Sequence, residues 1–300
     1  MRSLLSRKML VPLLILVAVL AFFVGREYRV LERASFNWRL LWQDEDAQAI
    51  GLGDYRAVIE AQPIVGLDSD VSALSYDPDR KSLFTVTNKN AQLVELSLDG
   101  RTLRHIPLTG FGDSEAVEYI SPGVYVISDE RRQRLIKVQI NDDTTALDAK
   151  DAEQLVLGIG SGNNNGYEGL AYDTKGQRLF VAKERRPVQI IEVRGFPYSS
   201  VQAPNVEVSS DARRNDDLFV RDISSLQFDE RSGHLLALSD ESRQIVELDI
   251  KGRAVGNVSL GQGSMGLTKT VPQAEGIAMD EDGTLYVVSE PNLFYVFKKP

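Results

Sequence analysis

The chain has 300 residues, of which 43% are hydrophobic, which is enough to bury a large core. It contains no cysteine, which excludes a disulfide framework, a thiolate metal site and a cysteine nucleophile. The net charge is −9, with +5 in the first 43 residues and −14 in the rest, so the acidic bulk of the chain argues against nucleic acid as a partner.

Residues 1–26 are typical of a targeting element. Three basic residues precede an uncharged apolar run over residues 9–24. No small-residue cleavage pattern follows before Arg26, so we predict an uncleaved signal anchor rather than a removed signal peptide. Because the basic end is expected to stay in the cytoplasm, this predicts a single-pass transmembrane helix in the inner membrane, held through residues 9–25, with the rest of the chain in the periplasm.

Residues 27–52 predict a short helical stalk next to the membrane, because apolar residues recur among charges at loosely helical spacing. Trp38 and Trp42, with arginines beside them, favour a helix that lies on the membrane surface. A plain spacer helix explains the same pattern, and the sequence leaves both interpretations open.

Residues 53–300 contain five copies of one sequence motif, the repeated phrase. The copies start at positions 72, 115, 168, 224 and 275, so the steps are 43, 53, 56 and 51 residues. This period is typical of a four-stranded propeller blade with variable loops. We therefore predict one all-β domain, a five-bladed β-propeller.

Each copy is typical of two strands joined by a turn. The last copy runs Glu275-Gly276-Ile277-Ala278-Met279-Asp280 and returns through residues 285–290. Small and large side chains alternate with period two, which indicates a strand, and the aspartates and glycines between the two runs indicate a turn. The last copy supplies three strands only, and residues 55–60 form a spare strand before the first copy. Pairing the two would close the ring.

The ends of these hairpins place acidic side chains on one rim of the predicted propeller. The residue that opens the first strand and the residue that closes the second must lie side by side. Glu115, Glu168 and Glu275 open three copies, and the other two have a carboxylate two residues earlier, at Asp70 and Asp222. The closing positions are all acids or amides: Asn88, Asp129, Glu184, Asp240 and Glu290. We expect these side chains to converge on one mouth of the central channel.

Three of the phrases and the N-terminal segment resemble the bacterial YjiK, or SdiA-regulated, family over nearly the whole chain. The phrases are Glu115-Ala116-Val117-Glu118-Tyr119, Tyr167-Glu168-Gly169-Leu170-Ala171-Tyr172 and residues 275–280. The resemblance implies a membrane anchor, a five-bladed propeller distantly related to NHL-repeat proteins, and a bound calcium ion. The family has no established biochemical activity, so the resemblance implies a fold and a metal but no function.

The acidic rim agrees with calcium, which takes about six to eight oxygen ligands in a flexible arrangement. Like charges on one rim also repel one another, and a divalent cation relieves that repulsion. The two histidines, His105 and His234, fall in a strand and a turn away from this rim, which argues against zinc or iron. We predict these metal ligands: Glu115, Glu168, Glu275 and Asp222. The secondary candidates are Asp70, Asn88, Asp129, Glu184, Asp240 and Glu290.

The competing interpretation is that these acids are solvated strand ends or ion-pair partners of the basic residues beside them. Surface ion pairs of this kind are common and contribute little to stability. This interpretation has most weight at the closing positions, where basic residues stand nearby: Lys89, Arg131, Arg132, Lys183, Arg185, Arg186 and Arg243. At the opening glutamates it has less, because each begins a buried strand where a charge needs a partner.

Two classes of function remain open. The first is a binding module, in which calcium rigidifies the rim and the propeller face holds a protein, peptide or envelope ligand; no catalytic residue is assigned. The alternative is a calcium-dependent hydrolase of phosphoesters or lactones, with a free glutamate as base and Arg131, Arg185 or Arg186 holding an anion. Two histidines in the whole chain give no basis for a Ser/His/Asp triad.

Overall fold

The structure is a computed structural model that describes residues 7–27, 30–42, 46–68, 70–158, 166–185, 187–198 and 205–300. Over these residues the chain forms five sheets of four antiparallel strands, one of them extended by a short parallel fifth. The strands in the first half of the chain are β1 (Arg56–Pro63), β2 (Val71–Asp77), β3 (Ser82–Thr87), β4 (Gln92–Leu96), β5 (Thr102–Thr109), β6 (Val117–Ser121), β7 (Val124–Asp129), β8 (Arg134–Gln139), β9 (Leu147–Asp148) and β10 (Glu153–Val156). The second half contains β11 (Tyr167–Asp173), β12 (Arg178–Lys183), β13 (Gln189–Arg194), β14 (Glu207–Ser210), β15 (Ser225–Asp229), β16 (His234–Ser239), β17 (Gln244–Leu248), β18 (Ala254–Ser259), β19 (Gln273–Met279), β20 (Leu285–Glu290) and β21 (Leu293–Lys298).

The sheets are the blades of a propeller. The innermost strands are β2, β6, β11, β15 and β19, and each contacts the innermost strands of the two neighbouring blades, so that the five form a closed ring. These strands and the ones that follow them are the five hairpins that the repeat predicted. The prediction of a five-bladed all-β propeller is confirmed.

The ring is closed by strand β1, which pairs antiparallel with β21 as the outer strand of the last blade. Arg56 lies opposite Lys298, and Pro63 lies opposite Leu293. The spare strand predicted at residues 55–60 therefore has the role that the sequence indicated. Since β1 comes from the start of the domain, the first and last parts of the propeller are held together by main-chain hydrogen bonds.

The core lies between the blades. Every residue of β3 and β16 is buried, because the second strand of a blade is covered on both faces by its neighbours. Such strands are nearly continuous runs of apolar residues. The outer strand β5 instead alternates exposed and buried residues along its second half, as expected for a strand with one face in water.

Small residues in the innermost strands allow the blades to approach closely. A Cβ added at Gly276 would lie 2.4 Å from the main-chain carbon of Ala73 in the neighbouring blade. At Gly169 it would lie 3.0 Å from the main-chain nitrogen of Leu226. The alternation of small and large residues therefore reflects how tightly the inner strands meet around the axis.

The predicted turns are held by their aspartates. Asp77 Oδ1 accepts hydrogen bonds from the main-chain N–H groups of Asp79 at 2.8 Å and Arg80 at 3.0 Å. Asp280 Oδ1 does the same for Asp282 at 3.1 Å and Thr284 at 2.7 Å. This use of an Asp side chain to replace a main-chain acceptor is why the residue recurs between the paired strands.

Two helices precede the propeller, α1 (Arg7–Glu27) and α2 (Val30–Leu40), and a short helix α3 (Ala212–Asp217) lies between β14 and β15. Helix α2 packs against β18, and Phe36 is 1% exposed in a cluster with residues of the third and fourth blades. The predicted stalk is thus helical but docked on the propeller, while Trp38 and Trp42 remain exposed.

All the large apolar side chains of α1 from Leu10 to Val24 that the structure describes are exposed. Within the described residues, no helix has the length and apolar character required to cross a membrane. Residues 1–6 of the predicted signal anchor lie outside the described residues.

Candidate metal centre at one mouth of the channel

The three opening glutamates, Glu115, Glu168 and Glu275, lie close enough to influence one another's charge. Burial raises the pKa of Glu275 to about 8, and the Asp240, Glu290 and Glu115 carboxylates add to the shift. Burial also raises the pKa of Glu168, with further contributions from Glu184, Glu115 and Glu275. Because carboxylates influence one another in this way only at short range, the innermost strands have brought acids from three blades together.

Glu115 is the opening glutamate with the most contacts. Its side chain accepts a hydrogen bond from the Asn88 Nδ2 amide at 2.5 Å, and it also bonds the Ser72 side chain. Burial raises its pKa to about 7 despite these two contacts, and the acids at Glu130 and Asp113 contribute. Asn88, a predicted secondary candidate from the neighbouring blade, thus joins this site.

Within the described residues, one group of acids is compact enough to share an ion: Asp113, Glu115 and Glu130. One carboxylate oxygen from each lies within 4.8 Å of those of the other two. Asp113 and Glu115 lie on the segment that leads into β6, and Glu130 follows directly after β7. The hairpin β6–β7 therefore assembles the group from its two adjacent ends.

Sequence reasoning selected Glu115 but missed Asp113 and Glu130. The signal for Asp113 was present, since Asp70 and Asp222 also stand two residues before the opening position of their copies. Glu130 was missed because Asp129 occupies the closing position. Successive side chains of a strand point to opposite sides, so the residue after Asp129 is the one that reaches the mouth.

Asp129 is held inside its blade as an ion-pair partner. It is fully buried, and its Oδ2 lies 2.8 Å from Arg134 Nη2 and 3.3 Å from Arg132 Nη1. The Arg134 Nε group also donates to the same oxygen at 2.8 Å. At this position the geometry supports the ion-pair interpretation rather than a metal ligand.

Asp70 and Asp222 have matching structural roles in two different blades. Asp70 Oδ2 accepts from the main-chain N–H groups of Asn88 at 3.1 Å and Lys89 at 2.6 Å. Asp222 accepts from the Glu241 N–H at 3.1 Å and from the Ser239 hydroxyl, and it is 2% exposed. Each aspartate ties the loop before its first strand to the end of its second strand.

Two of the remaining closing residues, Glu184 and Asp240, have partners of their own. Glu184 contacts the Arg185 guanidinium, and Asp240 Oδ1 accepts from the Ala274 N–H at 3.3 Å. Burial raises the pKa of Asp240 to about 6, with Asp222 contributing. Burial also raises the pKa of Glu290.

The arginines proposed for anion binding are paired with acids. Arg131 Nη2 lies 3.1 Å from Asp113 Oδ2, and Arg185 Nη1 lies 3.1 Å from Glu241 Oε1. Arg186 lies outside the described residues. The two described guanidinium groups, of Arg131 and Arg185, are therefore both held in ion pairs at the rim.

The histidines lie away from the acidic mouth, as predicted. His234 begins strand β16 at the end opposite the mouth, rather than lying in the turn before it, and its Nδ1 contacts Glu247 Oε1 at 2.6 Å. His105 Nδ1 contacts Gln92 Oε1 at 2.8 Å in the outer part of the first blade. Neither imidazole is placed to ligate an ion with Glu115.

The donors at the mouth suit a hard cation. The group of three acids supplies carboxylate oxygens, the donors that calcium prefers. Beside Glu115, the Asn88 Oδ1 carbonyl is buried and has no hydrogen-bond partner among the described residues. An acceptor buried without a donor is costly unless something electropositive faces it. Asn88 Oδ1 is therefore a further oxygen available to a cation.

The fold and this mouth define a five-bladed β-propeller with an acid-lined channel. A family model described as SdiA-regulated matches residues 47–298, and the chain belongs to that family.

Several solved structures are similar to this chain at low identity. A nidogen/laminin complex gives a TM-score of 0.47 at 14% identity, covering 74% of this chain and 72% of that one. A streptogramin B lyase gives 0.48 at 9%, covering 82% and 98%. A luciferin-regenerating enzyme gives 0.47 at 12%, covering 80% and 95%.

Proposed function

We propose that this protein is a calcium-binding propeller that acts as a binding module, with Ca²⁺ held at the acidic mouth. The observation that supports it is the group formed by Asp113, Glu115 and Glu130, with the unpartnered Asn88 Oδ1 beside it. The half-buried carboxylates of this group repel one another, and a divalent cation would offset that repulsion. Glu168 and Glu275 would add negative charge next to the ion.

The ion pairing of arginine at the mouth favours a binding module over a hydrolase. A hydrolase of this kind would use an arginine to hold a phosphoryl or acyl oxygen, but Arg185 is paired with Glu184 and Glu241, two acids outside the proposed calcium site. With calcium in place, the mouth would present a rigid face to a protein, peptide or envelope ligand. The role of calcium would then be structural, linking the first and second blades through Asn88 and Glu115.

The test is thermal unfolding of the full chain with excess EDTA and with added calcium. An ion that binds the native state at about 100 times its Kd stabilises by about 2.7 kcal/mol, which should raise Tm by roughly 5–10 °C. Glu115→Gln and Glu130→Gln should each abolish most of this rise. The matched control is Glu207→Gln on the exposed outer strand β14, which should keep it. Equal Tm values with EDTA and with calcium would refute the proposal.

We also infer that residues 9–25 attach the protein to the inner membrane and leave the propeller in the periplasm. The support is the exposure of the apolar residues along α1, since an apolar surface of this extent needs a cover. Trp38 and Trp42, which follow α1 along the chain, are also exposed, and tryptophan favours membrane interfaces. Cell fractionation should find the full chain with the membranes, and a form in which a cleavable signal peptide replaces residues 1–26 should be found free in the periplasm. Recovery of the full chain away from the membranes would contradict this.

A further inference from the structure

The opposite mouth of the channel contains a cavity of about 230 Å³ with aromatic walls. Its walls come from the fifth residue of each repeated phrase, four positions after the opening residue, at the far end of the same innermost strands. These five residues all line the cavity: Tyr76, Tyr119, Tyr172, Phe228 and Met279. The repeat therefore places acids at one end of the channel and mainly aromatic rings at the other.

Two of the tyrosine rings are fixed by their hydroxyl groups. The Tyr119 hydroxyl donates to Asp79 Oδ2 at 2.6 Å, and the Tyr76 hydroxyl donates to Glu281 Oε2 at 2.6 Å. Because both hydroxyls form hydrogen bonds at the rim, each ring contributes its apolar carbon atoms and its π face to the cavity. Rings held in this way lose little conformational freedom when a ligand binds.

Glu118 lies among the residues that line the cavity and is 8% exposed. One carboxylate oxygen accepts from the Ser75 hydroxyl at 3.0 Å, and the other accepts from the Tyr172 N–H at 2.9 Å. No described lysine, arginine or histidine forms an ion pair with it. A buried carboxylate without a cationic partner is costly in its charged form.

The rim of the cavity is acidic. Besides Glu118, four carboxylates line it, at Asp229, Glu230, Asp280 and Glu281, against one basic side chain, Arg231. Arg231 Nε is 3.1 Å from Asp229 Oδ1, and Lys175 and Lys81 lie near Glu230 and Glu281 at 3.8 and 3.5 Å. Among the described residues, Glu118 and Asp280 are the acids of the cavity that have no ion-pair partner. The cavity is thus suited to a positive rather than a negative ligand.

We infer that this cavity binds a small organic cation with an alkylated or quaternary ammonium group, the cation resting against the tyrosine faces and above Glu118. Tyrosine and phenylalanine faces attract such cations through the ring quadrupole, and the attraction is strongest in a site shielded from water. The volume lies just below the range of about 300–1,000 Å³ typical of pockets for drug-sized ligands, which suits a smaller molecule. Within the described residues, the acids that line this cavity form no group compact enough to share a metal ion.

Choline and its uncharged carbon isostere, 3,3-dimethyl-1-butanol, separate charge recognition from simple apolar burial. Each is titrated at pH 9, where Glu118 is ionised, into the full-length protein in a maltoside detergent and followed by isothermal titration calorimetry. Choline should bind at least about tenfold more tightly than the isostere, as expected for several cation–π contacts and one carboxylate. Equal affinities, or no heat from choline, would overturn the inference.

Three variants locate the site. Glu118→Gln keeps both hydrogen-bond partners, and Tyr76→Leu and Tyr119→Leu keep apolar bulk while removing the π face. Each should weaken choline binding by about tenfold. Glu115→Gln at the acidic mouth is the matched control and should leave choline binding unchanged, which also separates this site from the calcium proposal. Choline affinity that persists in all three variants would place its binding elsewhere and refute the assignment.

Discussion

Buried carboxyl groups dominate the electrostatics of both ends of the channel. Burial raises the pKa of Glu115 to about 7 and that of Glu118 to about 8, from an ordinary value of 4.5. The folded protein therefore holds protons that the unfolded chain releases. Stability is fully present below the ordinary pKa and is lost as the pH rises toward the folded values.

For the metal-free protein we expect the free energy of unfolding to fall steadily between about pH 5 and pH 8. The reason is that Glu115, Glu118 and Glu275 ionise earlier in the unfolded chain than in the folded one. Urea unfolding in EDTA across this range measures the slope. Calcium should flatten it, since its ligands must be deprotonated to bind. A stability that rises with pH in EDTA would show that these acids are ionised at lower pH than their burial implies.

Replacing Glu118 with glutamine should stabilise the protein at high pH. The amide oxygen can accept from the Tyr172 N–H, and its NH₂ group can donate to Ser75 Oγ, so packing and hydrogen bonds are kept. Near pH 5 the variant should match the parent, and above about pH 8 it should be more stable by on the order of 2 kcal/mol. Urea unfolding at the two pH values is the measurement, and a variant less stable at both would show that the carboxylate has a partner in the folded state.

At the scale of single strands, the contact between innermost strands constrains the sequence most. A methyl group at Gly276 would press against the main chain of Ala73, which cannot move without shifting its own strand. We expect Gly276→Ala to destabilise the protein by about 1–3 kcal/mol, as overpacking does in rigid cores. Gly53→Ala is the control, because nothing lies within 4 Å of a Cβ added there. Thermal unfolding compares the two, and equal Tm values would mean that the blades can separate at this point.

The sequence predicts the fold of this protein better than it predicts the candidate site. The blades, their inner hairpins and the closing strand follow from a repeat whose period and alternation recur five times along the chain. The site is harder, because a one-residue difference decides where a side chain points. Asp129 and Glu130 are neighbours of the same charge, yet one is held by Arg134 inside the blade and the other reaches Asp113 and Glu115.

The aromatic mouth illustrates a second limit. Tyr76, Tyr172 and Met279 belong to the large positions of the period-two pattern, which the sequence explains equally well as core. Only the closed ring shows that the fifth residues of all five phrases line one cavity. Cross-blade proximity of this kind depends on the curvature of the whole ring, which no single copy encodes.

For the whole molecule, closure by β1 should decide whether the ring persists. The hydrogen bonds between β1 and β21 join the two ends of the propeller, and without β1 the last blade would present β21 as an open edge. A chain that starts at residue 65 should therefore lose cooperative unfolding and associate through that edge. The control is a chain that starts at residue 47, which keeps Ile50, Leu52 and Tyr55, all buried. Size-exclusion chromatography and thermal unfolding compare the two forms. A monomeric, cooperatively unfolding protein without β1 would show that the inner strands alone hold the ring closed.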